Sequence, residues 1–126
     1  MNILVVEDNP SHLKLAHLVL SSAGHKVSDA EAAEQAFDSI RQEKPQVILL
    51  DLQLPRMDGL TLVRKLKAEA ETRDIHVIVV TSYPDRYTKK DALAAGCDAY
   101  LVKPINTRAL PQIVSEVVKG RPDNKS

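Results

Sequence analysis

Four runs of aliphatic and β-branched residues recur along the chain, and each stops at a polar residue with reactive chemistry. Ile3–Val6 ends at Glu7-Asp8, Val47–Leu50 at Asp51, Val77–Val80 at Thr81, and Tyr100–Val102 at Lys103. Unbroken apolar runs of this length lack the alternation of a half-exposed strand, so they read as parallel strands buried on both faces. Between them the apolar positions change to helical spacing. Asn9-Pro10 reads as an N-cap with proline in the first helical position, and Leu13, Ala16, Val19, Leu20 and Ala23 then recur until Gly24 ends the first helix.

The remaining elements follow the same rule. His25–Asp29 reads as a short second strand, and Ala33, Ala36, Phe37 and Ile40 mark a second amphipathic helix that closes before Pro45. Leu52–Gly59 is a loop by its proline and glycine, and it leads into a third helix with Leu60, Val63 and Leu66 inward. The fourth strand spans Ile75–Val80, a fourth helix runs from Tyr83-Pro84 to Ala95-Gly96, and the fifth strand spans Ala99–Val102. Leu110, Ile113, Val114, Val117 and Val118 make the last helix.

Five strand–helix units joined by right-handed crossovers predict an α/β fold, a three-layer doubly wound (βα)5 sandwich. A flavodoxin-like parallel sheet of order 2-1-3-4-5 makes strands one and three neighbours at the switch point, so Glu7, Asp8 and Asp51 converge there. Residues 1–119 are expected to form one domain and 120–126 a flexible tail.

Composition narrows the function. The 126 residues suffice for one core, and Lys+Arg 17 against Asp+Glu 17 leaves a formal net charge of +0. That balance provides no long-range field toward nucleic acid or an anionic membrane, and neither is expected as a partner. Cys97 is the only cysteine and cannot form an internal disulfide, and no apolar run is long enough to span a bilayer. The cytoplasm is the expected location.

Three carboxylates gathered at one sheet edge repel one another and raise each other's pKa values, unless a hard cation with oxygen preference sits among them. Mg2+ suits such a set best, because it takes one or two carboxylates, keeps several waters and leaves room for a phosphoryl oxygen. No Cys or His is placed to favour zinc. His12 and His17 fall on different sides of one helix, and His25 and His76 lie near strand starts, so all four read as surface or boundary residues. An aspartate beside such a metal and a lysine can attack phosphorus to form an acyl phosphate, and Asp51 is the candidate. The metal and Lys103 would neutralise the phosphoryl oxygens, and Thr81 would donate a hydrogen bond to the bound group.

Taken singly, each residue has an ordinary explanation as a loop acid, a polar strand stop or a solvated charge. Together, Glu7-Asp8, Asp51 with Leu54-Pro55 and Met57-Asp58-Gly59 behind it, Thr81-Ser82 and Lys103-Pro104 resemble the receiver domain of bacterial two-component response regulators, the chemotaxis-response-regulator-like superfamily. The resemblance covers Asn2 to Lys119. It implies a single-domain signalling switch, not an enzyme with an external substrate, that catalyses only its own phosphorylation and dephosphorylation. It implies that Asp51 accepts phosphate from a sensor histidine kinase or a histidine phosphotransfer protein. Asp8, Asp51 and the Gln53 backbone carbonyl would hold Mg2+, with Glu7 assisting through water. Lys103 would pair with the phosphoryl group, and its bond to Pro104 would be cis. Thr81 and Tyr100 would act as a coupled switch, presenting a downstream protein with the face built by helix four, strand five and helix five. The chain would be a monomer or a phosphorylation-dependent dimer.

Two features depart from the commonest family pattern. The acidic pair is Glu-Asp, and Ala99 stands where many DNA-binding members carry a second acid after Asp98. Gln53, Ser82 and Tyr83 would flank the phosphoryl group and the path of attacking water, the bulk of Tyr83 being expected to slow hydrolysis. A haloacid-dehalogenase-type phosphatase would need an acid where Gln53 stands and room for a cap. A nucleotide or flavin binder would need glycine-rich phosphate loops, and the chain has only Gly 4. A receiver that works without phosphate would not need the intact set of acid, hydroxyl and lysine.

Overall fold

Alternate residues of the apolar strands pack into two separate cores in the computed structural model of the chain, which describes residues 1–120. The elements are β1 (Asn2–Val6), α1 (Pro10–Ser22), β2 (Lys26–Ala30), α2 (Ala33–Gln42), β3 (Val47–Asp51), α3 (Gly59–Ala68), β4 (His76–Thr81), α4 (Lys89–Ala95), β5 (Ala99–Val102) and α5 (Leu110–Lys119). The strands pair in parallel in the order β2-β1-β3-β4-β5, so the chain adopts the flavodoxin-like α/β sandwich its patterning predicts.

Leu4, Val6, Ile48, Leu50, Val77 and Val79 face α2, α3 and α4, which contribute Ala36, Ile40, Leu62, Val63, Leu66 and Ala92. Ile3, Val5, Val47, Leu49, Ile78 and Val80 face α1 and α5, where Leu13, Ala16, Leu20, Leu110 and Val114 meet them. A strand with a helical layer on each side has no solvent face, which is why its sequence shows no polar alternation. β2 is different. As an edge strand it buries only Ala30 fully, and it begins one residue later than predicted. β5, the other edge strand, buries none of its four residues fully and leaves Val102 exposed, against the expectation that its run is covered on both faces, because among the described residues no further strand or helix layer closes that side.

Other boundaries also move, β4 by one residue to His76–Thr81. α4 starts at Lys89 rather than at Pro84, because Arg86 N and Tyr87 N both donate to Tyr83 O (3.0 and 2.9 Å) in a single turn that goes no further. The buried Tyr87 ring anchors that turn in the core, and extended Thr88 then caps α4 by accepting from Asp91 N through Oγ1 (3.1 Å). Ala23 is exposed, since it is the C-cap of α1 and Gly24 turns the chain at φ 95. Gly120 ends α5 in the left-handed region, and the expected tail beyond it, residues 121–126, lies outside the described residues.

The β3–α3 loop is held close against the site. Gly59 N donates to Leu52 O (3.0 Å), and a Cβ on Gly59 would lie 2.5 Å from Leu52 Cα and 2.8 Å from Leu52 O. Both obstacles are backbone, so only glycine fits without moving the segment that follows Asp51. Gly59→Ala is expected to cost about 1–3 kcal/mol through overpacking. The cost is read as a lower urea midpoint at unchanged slope; an unchanged midpoint would show that the loop yields freely.

Candidate functional site

Each reactive residue sits at or just beyond the C-terminal end of a strand, so the parallel register brings them to one edge. Glu7 follows β1, Asp51 and Thr81 end β3 and β4, and Lys103 follows β5. Because β1 and β3 are adjacent, one carboxylate oxygen from each of Glu7, Asp8 and Asp51 lies within 4.8 Å of the others. Glu7 and Asp51 are buried and Asp8 is exposed.

Lys103 ties the cluster together. Its Nζ donates to Glu7 Oε1 (2.7 Å), Asp51 Oδ2 (3.0 Å) and His12 Nδ1 (3.0 Å). The second oxygens of the two acids are held by backbone, Glu7 Oε2 by Asn9 N (3.1 Å) and Asp51 Oδ1 by Gln53 N (2.9 Å). Such local bonds fix the carboxylates in orientation without neutralising them. The Lys103–Pro104 peptide bond is cis.

Charge at this edge is out of balance, with three carboxylates against one ammonium. Burial, and then the Asp51 side chain beside it, push Glu7 from the usual 4.5 up to about 7 against the opposing pull of Lys103. Burial alone would pull Lys103 down, but its bonds to Glu7 and Asp51 outweigh that and hold it above its ordinary value. A set of hard oxygen donors with surplus negative charge fits a divalent cation of the Mg2+ class and does not fit zinc.

The raised Glu7 value has a consequence for stability. Below about 4.5 the acid is protonated whether the chain is folded or not; between 4.5 and about 7 only the folded chain keeps the proton. Folded protein then binds more protons than unfolded, so stability falls as pH rises through that window and levels off above it. The drop is expected to reach up to about 3 kcal/mol in metal-free protein, at about 1.4 kcal/mol per pKa unit. Urea unfolding at a series of pH values checks this, and Glu7→Gln should flatten the slope.

Thr81 is fully buried, and its Oγ1 accepts from Tyr83 N (2.9 Å). Tyr100 packs its ring against the core beside α4, and its hydroxyl donates to the Tyr87 carbonyl. Both side chains are therefore tied to the same segment, residues 82–88 between β4 and α4. Ser82 lines the cleft above Asp51, while the Tyr83 side chain is largely exposed. Gln53 bridges to Asp58 across the β3–α3 loop.

One residue at the site escaped the sequence reading. His12 is half exposed, as a surface residue should be, yet its ring lies against Lys103 and 3.8 Å from Glu7 Oε1. The available signal was position. Asn9 caps α1, so His12 lies in its first turn, and helical side chains tilt toward the N-terminus, here over the end of β1. The other histidines stay away from the cluster, His17 pairing with Asp29 (2.8 Å). Cys97 is a buried packing residue whose thiol burial pushes up to about 11.

A cleft of about 400 Å³ opens beside Lys103 and Asp51, with an apolar wall from Leu15 and Ala16 of α1 and Ile105 beyond β5. Among the described residues no helix is long and apolar enough to cross a membrane.

Comparison with known proteins is consistent with this geometry. The family model for the response regulator receiver domain matches residues 3–115. The polar-differentiation response regulator DivK of Brucella ovis is 33% identical over 105 residues, spanning 83% of this chain and 85% of its own length. The CheY-like receiver domain protein of Methanospirillum hungatei superposes with a TM-score of 0.85 at 30% identity over 94% of this chain and 93% of its own. The receiver domain of NtrX from Brucella abortus gives 0.86 at 26% identity, over 94% and 99%.

Proposed function

The chain belongs to the receiver domain family of two-component response regulators, phosphorylation-based signalling switches, and from that membership we propose that Asp51 is its phosphoacceptor. The observation that carries this is Lys103 Nζ bridging Glu7 and Asp51 (2.7 and 3.0 Å) beside a third acid. A cation-poor acidic cluster around a strand-end aspartate is suited to receiving a phosphoryl group together with a metal. Asp8, Asp51 and the Gln53 carbonyl would hold Mg2+, with Glu7 acting through water. When bound, Mg2+ supplies charge neutralisation to the acids and to the phosphoryl oxygens.

An Asp51 carboxylate oxygen attacks phosphorus as the P–N bond to the histidine of a sensor kinase or phosphotransfer protein breaks, and an acyl phosphate forms. Lys103 moves one donor from Asp51 to a phosphoryl oxygen. Thr81 now accepts from Tyr83 N, and its own proton is available to the phosphoryl group. Donating it favours one arrangement of residues 82–88, to which Tyr100 is also tied, so the equilibrium between arrangements shifts by the differential bond energy.

Two apolar surfaces support the partner assignments. Leu15 is exposed on α1 in the cleft beside Asp51, where the phosphodonor would dock, with Leu18 exposed further along the same helix, and Leu93 and Val102 are exposed on the α4-β5-α5 face that a target would read. The switch would act in the cytoplasm without nucleic acid or membrane, as a monomer or a phosphorylation-dependent dimer, and turn over no substrate but its own acyl phosphate. Incubation with acetyl phosphate and Mg2+ should add one phosphoryl group per chain, mapped to Asp51 by peptide mass. No mass gain, or a gain at another residue, overturns the reading.

A further inference from the structure

We propose that His12 is a positioning residue for Lys103 in phosphoryl transfer, an inference that rests on Asp51 being the phosphoacceptor. The Lys103 ammonium has three N–H donors, and the structure gives each a different acceptor: Glu7 Oε1, Asp51 Oδ2 and His12 Nδ1. An ammonium only donates, so in this contact Nδ1 is the acceptor, which assigns the ring the tautomer with its proton on Nε2.

Geometry gives this third bond its role. When Asp51 takes up a phosphoryl group, the donor now spent on Asp51 Oδ2 must turn to a phosphoryl oxygen. A lysine head on a flexible four-carbon stem would then rest on Glu7 alone and could swing toward that acid. His12, reaching from the first turn of α1 on the other side of the cleft, holds the ammonium at a second fixed point, so that the released donor is aimed where the charge develops. The contact joins residues from the two ends of the chain and is independent of the backbone ties that orient the acids.

The test compares His12→Leu, which removes the acceptor, with His12→Asn, whose Oδ1 occupies nearly the place of Nδ1. Phosphoryl gain from acetyl phosphate at saturating Mg2+ should slow about tenfold in His12→Leu and recover to within about threefold of native in His12→Asn. The Lys103 ammonium resonance by NMR provides a readout independent of phosphorylation. It should be resolved in native protein and in His12→Asn and averaged away in His12→Leu. A His12→Leu rate equal to native, an asparagine variant as slow as the leucine one, or an unaltered Lys103 resonance in His12→Leu overturns the proposal. Native protein that gains no phosphoryl group overturns the assignment of Asp51, and the His12-dependent transfer step falls with it.

Discussion

Asp51→Asn is expected to abolish phosphoryl uptake while leaving the fold at least as stable as native. The asparagine amide is a poor nucleophile, so labelling by acetyl phosphate should drop at least about a hundredfold, to background. Stability moves the other way because Asp51 is one of three carboxylates facing a single ammonium, and its side chain is among the causes that raise Glu7 to about 7. Removing that charge lets Glu7 ionise more easily and leaves Lys103 and Glu7 as a balanced pair (2.7 Å). The amide oxygen of the substituted side chain can still accept from Gln53 N as Asp51 Oδ1 does. A gain of about 1 kcal/mol near neutral pH in metal-free protein follows. Intact mass and urea unfolding test the two halves separately. Labelling that persists in Asp51→Asn would move the phosphoacceptor elsewhere, and a large loss of stability would mean that Lys103 depends on Asp51 more than on Glu7.

Lys103→Met should damage both properties. Methionine fills a similar volume without charge, and it leaves Glu7 and Asp51, each with a side chain less than a tenth exposed, facing each other with no counter-ion. Breaking a buried ion pair from one side costs about 3–5 kcal/mol, reduced here to the extent that Glu7 takes up a proton and the cluster discharges. Transfer suffers separately, because the group aimed at the phosphoryl oxygens is lost. A preorganised electrostatic stabiliser of this kind is worth about 10²–10³ in rate. Labelling kinetics should therefore fall by that factor even in the presence of Mg2+, while Mg2+ restores part of the stability by binding only the folded chain. A variant that labels at the native rate would reduce Lys103 to a structural counter-ion.

Much of this site was legible because each of its principal residues occupies a special place in a simple pattern. Glu7, Asp51, Thr81 and Lys103 each follow an apolar run directly, and a parallel sheet cannot avoid placing such residues on one edge. The contacts among them were less accessible. The resemblance predicts that Glu7 serves a metal through water; what the structure shows is its direct bond to Lys103 across 96 positions of chain. His12 has the spacing of an ordinary surface residue, and only the packing of α1 beside the β5–α5 connection brings it to Lys103. Pro84 predicts a helix start, because proline often opens one. Burial of the Tyr87 ring, a tertiary event, stops that helix after one turn and delays α4 to Lys89, with Thr88 as its cap.

The alternation of five strands with five helices, most of their buried faces and the reactive groups at the strand ends are all readable from the chain alone. Those properties are periodic and local, set by the spacing of apolar side chains and by caps and turns within a few residues. That one ammonium serves Glu7, Asp51 and His12 at once, and that Thr81 and Tyr100 are tied to the same short segment, emerges from the packed fold. Hydrogen bonds between residues far apart in the chain depend on register and on how layers of helix settle against the sheet, and no periodicity in the sequence carries that information.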